Sequence, residues 1–88
     1  MNGIGMSDWK ERNRPPRIER RYTFVDYEAL RSFLERAAAI SEAVGYYPDM
    51  AFGREYLNIT ISPSEGEILT EMHYHLARDL DALGGYVS

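Results

Sequence analysis

Two histidines, a tyrosine pair and three arginines are the side chains in this sequence whose types and spacing could do chemistry. His73 and His75 carry the one side chain whose reference pKa lies near neutrality, which suits it to proton transfer and to metal binding. They stand two apart in a stretch of helical pattern, so they project about 200° from one another and cannot close on one metal ion. No metal site is expected, with one ring exposed and the other packed. Tyr46 and Tyr47 offer phenols with a reference pKa of about 10, poor bases at neutral pH. They read either as half-buried loop aromatics or, if exposed, as interface anchors of large area and low rotamer cost. Asp49 follows Pro48 and reads as a turn cap, and Phe52-Gly53 as a buried aromatic beside a bulge or tight turn. Arg20, Arg21 and Arg54 read as solvated face or edge residues, or as a cluster beside the tyrosines that grips partner carboxylates. The sequence has no cysteine, which excludes thiol catalysis, disulfides and thiolate metal sites.

A chain of 88 residues buries only about 60–65% of the surface its unfolded form exposes, so a domain that leans on a partner is expected. We place one domain over residues 9–88 and read residues 1–8 as a disordered N-terminus. The formal charge is −4, from 10 Lys+Arg against 14 Asp+Glu, which speaks against nucleic acid bound through bulk positive charge. Charge is polarised along the chain: six bases and three acids through Arg21, then four bases and eleven acids. The basic arm is a solvated segment or a docking surface for an acidic partner. Between Lys10 and Arg21 it has no aromatic on which single-stranded nucleic acid could stack. No run approaches the about 18–20 apolar residues of a membrane span, and no secretory apolar segment opens the chain, so a cytoplasmic protein without membrane contact is expected.

The elements that must position these residues follow from periodicity. Ile18, Tyr22 and Phe24 share one face of an alternating segment interrupted by Arg20, with Glu19, Arg21 and Thr23 opposite, which predicts a strand with one wet face. A short edge segment near Trp9 is possible before it, and Pro15-Pro16 cannot lie inside a paired central strand. Asp26 is set to cap a helix carrying Leu30, Phe33, Leu34, Ala37, Ile40 and Val44 at helical spacing, with Gly45 as its stop. Tyr46 to Gly53 reads as a loop with room for a short strand. Arg54 to Ser62 alternates Leu57, Ile59 and Ile61 against Tyr56, Asn58, Thr60 and Ser62, a strand burying one side. Thr70 caps a second helix whose apolar stripe joins Leu76, Leu80 and Leu83 with Met72, Ala77 and Ala82, ended by Gly84-Gly85. The simplest assembly is an α+β two-layer sandwich, an antiparallel sheet with two long helices on one face. Its exposed edges favour extension of the sheet across a dimer.

Strand, helix, Tyr46-Tyr47-Pro48-Asp49, strand and a Leu69-Thr70-Glu71 helix start, in that order, resemble the pterin-4a-carbinolamine dehydratase family over residues 18 to 83. That family's pattern has His-His-Pro-Glu/Asp after its first long helix, a further His just past the next strand, and a Leu-Ser-Glu-type helix start. Here Pro48-Asp49 is kept, Tyr46 and Tyr47 replace the two histidines, Ser64 falls at the third active-site His, and His73 stands where Asp is usual. Dehydrating a 4a-hydroxytetrahydropterin requires one group to take a ring N–H proton and another to protonate the departing hydroxide, work that histidine does at neutral pH. Two tyrosines and a serine without an evident activator imply an inactive site, with no catalytic residue and no cofactor. The resemblance would leave Asp49 as the acidic wall of a former pterin pocket now open to a protein segment, with Phe52-Gly53 in the same groove.

The longer run YYPDMAFGREYLNITI, with RPPRIERRYTF and WKERNR before it, is similar to a catalytically silent branch of that family encoded among α-carboxysome genes. Similarity to that branch implies a homodimeric chaperone, in the bacterial cytoplasm or at the carboxysome, that brings form I Rubisco large subunits to their assembled state. Its partner surface would be the polar sheet face together with Tyr46, Tyr47, Asp49, Phe52, Arg54, Arg20 and Arg21. The alternatives are a divergent dehydratase working through tyrosines and bound water, and a dimerisation or coactivator module docking through Met72, His75 and Asp79.

Overall fold

The structure, a computed structural model, describes residues 8–87, so the expected disordered stretch lies outside the described residues except for Asp8. Four strands and two helices follow in the order β1 (Lys10–Asn13), β2 (Pro16–Thr23), α1 (Tyr27–Val44), β3 (Asp49–Phe52), β4 (Tyr56–Ile61) and α2 (Glu71–Ala82). The sheet is antiparallel throughout with strand order β1-β2-β4-β3. Pro16 opens β2 opposite Asn13, the position in a central strand where a missing N–H does least harm. The sheet is therefore wider than the two alternating segments alone predict: β1 and β3 are its edges.

Period two decides which side is buried. Ile18, Tyr22, Leu57, Ile59 and Ile61 are fully buried, while Glu19, Thr23, Tyr56, Asn58 and Thr60 between them stay half-exposed. Burying one such aliphatic side chain contributes about 1.5–3 kcal/mol, so the three inward residues of β4 do much to fix the register. Both helices lie over this face, giving the expected α+β two-layer sandwich.

Helix α1 begins where expected: the Asp26 carboxylate accepts the Ala29 N–H at 2.9 Å, a cap contributing about 0.5–2 kcal/mol. It ends at Gly45 with φ 85°, whose N–H reaches the Ser41 carbonyl at 2.8 Å. Its buried row is Leu30, Phe33, Ala37 and Ser41. Val44, expected in the stripe, is exposed, and Ser41 takes the last inward place because its hydroxyl donates to the Ala37 carbonyl at 2.9 Å and leaves no polar atom unmet. Helix α2 is rotated relative to the expected stripe. Its buried row is His73, Leu76, Ala77 and Leu80, the i, i+3, i+4, i+7 set of one face, which turns Met72 (41% exposed) and Ala82 outward. Tyr74 ties α2 to β1 by donating to Glu11, and that bond pushes its phenol pKa up to about 12. Among the described residues no helix is long and apolar enough to cross a membrane.

Candidate functional site

The turn after α1 sets the position of the first tyrosine. Gly45 and Tyr46 both donate their N–H groups to the Ser41 carbonyl, at 2.8 and 3.2 Å, which brings the Tyr46 side chain back to the end of β4. There its hydroxyl accepts the Ser62 N–H and donates to the Ser62 carbonyl, both at 2.8 Å. The ring meets His73 edge-on, with centroids 5.5 Å apart and planes at 88°. His73 is buried and its Nδ1 accepts the Thr70 N–H at 2.9 Å, the part that Glu or Gln plays in a capping box. An Nδ1 lone pair used in this way assigns the imidazole proton to Nε2. His75, by contrast, is exposed beside Asp79 at 3.4 Å.

This arrangement welds α1, β4 and α2 together. The Tyr46 hydroxyl spends its proton and a lone pair on main chain. Tyr47 is 66% exposed, and Ser64 is exposed on the β4–α2 loop, where its carbonyl accepts the Glu67 N–H at 2.9 Å. None of the hydrogen bonds among the described residues joins Tyr46, Tyr47 and Ser64 into a nucleophile–base or acid–base pair. Tyr46→Phe strips the Ser62 amide and carbonyl of their partner, and about 1–2 kcal/mol of stability should go with it. Urea denaturation reads the loss, and an unchanged midpoint would show that Tyr46 is not a weld.

The three arginines do not form one cluster. Arg20, read as a solvated face or edge residue or else as part of a partner-gripping cluster, lies on the inward face and is 8% exposed. Its period-two position between Ile18 and Tyr22 puts it under the helices, where Nη1 donates to Asp81 at 2.8 Å and the guanidinium lies 4.3 Å from the Tyr22 ring centroid and 5.0 Å from that of Tyr86. It is a core residue and is withdrawn from the partner surface. Arg21, the next residue, is on the outer face, its guanidinium 4.2 Å from the Tyr56 ring centroid. Arg54 is exposed in the β3–β4 turn, lining a concavity with Asp26, Tyr27 and Glu55.

Phe52 also departs from expectation. It is 50% exposed because it ends a four-residue edge strand that has a neighbour on one side only. The tight turn expected at Gly53 is present: its N–H donates to the Tyr56 carbonyl at 3.0 Å, and a Cβ there would run into the Tyr56 ring. Asp49 opens β3 on the outer face opposite Thr60. Of the seven partner-binding residues, the structure thus puts Arg21 and Asp49 on the helix-free face, Tyr46 at the weld, Phe52 on the helix side of the sheet edge and Arg20 in the core.

Sequence reasoning passed over Asp81, where the Trp9 indole N–H, the Arg20 guanidinium and the Tyr22 hydroxyl all converge. The available signal was Arg20 itself, since an inward-facing cation in a strand demands a buried acceptor.

The helix-free face holds a different constellation. Lys10 pairs with Glu19 across the sheet, Arg12 with Arg17, and Arg21 with Asn58. Arg17 Nε lies 2.6 Å from Glu19 and Arg12 Nε 3.5 Å from it. The bond from Arg17 is the main cause that holds the Glu19 carboxyl below the usual carboxylate range. A concavity of about 310 Å³ opens here, with Asp8, Lys10, Glu19, Arg21, Asn58 and Thr60 in its wall and Arg20 and Ile59 reaching it from the strands beneath.

The sequence pattern of Pterin 4 alpha carbinolamine dehydratase matches residues 2–83. The chain belongs to the pterin-4a-carbinolamine dehydratase family. It is 30% identical over 81 residues to a protein of Halorhodospira halophila named as a candidate pterin-4-alpha-carbinolamine dehydratase, spanning 92% of this chain and 74% of that one. Among solved structures it is similar to a pterin dehydratase-like protein identified as a RuBisCO assembly factor in the alpha-carboxysome, with 36% identity and a TM-score of 0.79, covering 91% of this chain and 93% of that one. A transcriptional coactivator/pterin dehydratase from Brucella melitensis superposes with a TM-score of 0.80 over 86% of this chain and 81% of that one, at 21% identity, and shares the fold. Within the pterin-4a-carbinolamine dehydratase family, then, this chain keeps the architecture.

Proposed function

We propose that this protein is a non-enzymatic assembly factor for form I Rubisco of α-carboxysomes, engaging the large subunit through its helix-free sheet face and the region of Tyr47, Asp49 and Arg54. The observation that carries this reading is the likeness, at 36% identity over nearly the whole of both chains, to a protein identified as a RuBisCO assembly factor. The Tyr46 hydroxyl, occupied by main chain, and the finding that no hydrogen bond among the described residues joins Tyr46, Tyr47 and Ser64 support the non-enzymatic part, although relatives carry the dehydratase name. A homodimer paired at a free sheet edge would present the same patch twice, so a dimeric client gains from effective concentration.

The test is co-expression of α-carboxysomal Rubisco subunits and chaperonin with and without this protein, reading assembled enzyme on a native gel and CO2 fixation in the lysate. Assembled Rubisco should rise, and Tyr47→Ala with Arg54→Ala, both exposed, should reduce that gain while the fold is kept. An unchanged yield with the wild-type protein sinks the assembly role. Conversion of a 4a-hydroxytetrahydropterin above the uncatalysed rate would restore the dehydratase reading.

A further inference from the structure

The outer side of β1 and β2 carries Lys10, Arg12, Arg17 and Arg21 against the single acid Glu19, on a protein whose net charge is −4. Glu19 is held by Arg17 and Arg12 together, so it orients those two guanidinium groups and adds little free negative charge. Among the described residues no carboxylate pairs with Lys10 or Arg21. Arg21 is propped by the Tyr56 ring, which keeps its position without using its N–H donors. Asp8, in the same wall, pairs with Arg20 at 3.7 Å and not with Lys10 or Arg21. What remains in the 310 Å³ concavity is a pair of unpaired cations beside the Asn58 amide and the Thr60 hydroxyl.

We propose that this concavity on the helix-free face of β1 and β2, with Lys10 and Arg21 as its charged donors, is a docking site for carboxylate side chains of an acidic protein segment. Charge complementarity chooses the occupant: a basic patch on an otherwise acidic molecule attracts acidic chains and repels a second copy of its own acidic surface. A polynucleotide is the poorer fit, because the Tyr56 ring beside these cations is taken up by the Arg21 guanidinium rather than offered to a base. The proposal deepens the assembly-factor reading and rests on it for the identity of the partner.

Binding of a fluorescein-labelled glutamate oligomer, followed by anisotropy at low and high salt, tests the site. Wild-type protein should bind and weaken as salt rises. Lys10→Glu with Arg21→Glu should bind about tenfold or more weakly, whereas Arg31→Glu with Arg78→Glu, the same charge change on the helix side, should bind as wild type. Equal losses in the two variants, no binding by the wild type, or tighter binding of a uridylate oligomer each overturn the proposal. In the co-expression assay, a gain in Rubisco that Lys10→Glu with Arg21→Glu leaves intact refutes this surface and keeps the assembly role. No gain with the wild type refutes the assembly role, and the oligomer titration then decides the surface by itself.

Discussion

Asp81→Ala is expected to destabilise the fold by about 3–5 kcal/mol, the range for removing one partner of a buried ion pair. Asp81 accepts the Trp9 indole N–H at 3.1 and 3.2 Å, the Arg20 guanidinium at 2.8 Å and the Tyr22 hydroxyl. Deleting it leaves a cation whose side chain is 7% exposed with no acid nearer than Asp8 at 3.7 Å. Chemical denaturation measures the loss, and a change under about 1 kcal/mol would mean that water enters and solvates Arg20 instead. The same cluster predicts alkaline behaviour. Burial first, and then the bond to Asp81, hold the Tyr22 phenol far above its ordinary range. A phenol whose pKa is raised by folding contributes stability that is complete below its unfolded pKa of about 10 and disappears as pH climbs toward its folded value. Wild-type stability should therefore fall from about pH 10 upward, and Tyr22→Phe should flatten that decline.

Phe33→Ala should lose a similar amount, about 3–5 kcal/mol for truncating a buried phenylalanine. Phe33 is fully buried in α1, and its ring centroid lies 4.9 Å from Tyr22, 5.4 Å from Phe24 and 6.1 Å from Tyr86. With Tyr22 and Tyr86, themselves 4.8 Å apart, it closes a triangle of rings that joins β2, α1 and the segment after α2. Near-UV circular dichroism should collapse along with the denaturation midpoint. The half-exposed Phe52, truncated in the same way, should cost under about 1 kcal/mol; equal losses at the two positions would refute the assignment of Phe33 as the packing centre.

The contrast between these phenylalanines shows what the sequence made legible. Helix α1 and strand β4 were readable because local cap chemistry and alternation agree with their tertiary placement: Asp26 and Gly45 bracket the one, and Leu57, Ile59 and Ile61 mark the other. Strand β3 was readable only as a possibility, since four residues after Pro48 carry too little pattern and owe their conformation to pairing with β4. The phase of α2 misled because hydrophobicity argues for Met72 over His73, while the buried ring is the one that bonds to the Thr70 amide. Among candidate site residues, Arg20 and Arg21 look alike in sequence, yet adjacent positions in a strand face opposite sides. One became core and the other surface.

The carboxylate of Asp81 receives Trp9 from ahead of β1, and its carbonyl accepts the Tyr86 hydroxyl at 2.8 Å from beyond α2, while the Val87 N–H reaches the Thr23 carbonyl at 2.7 Å. The segments that flank the sandwich in sequence are in this way knotted to one residue in space. Among the described residues, then, the two flanking segments are coupled: loosening one slackens the other, and they are expected to open together.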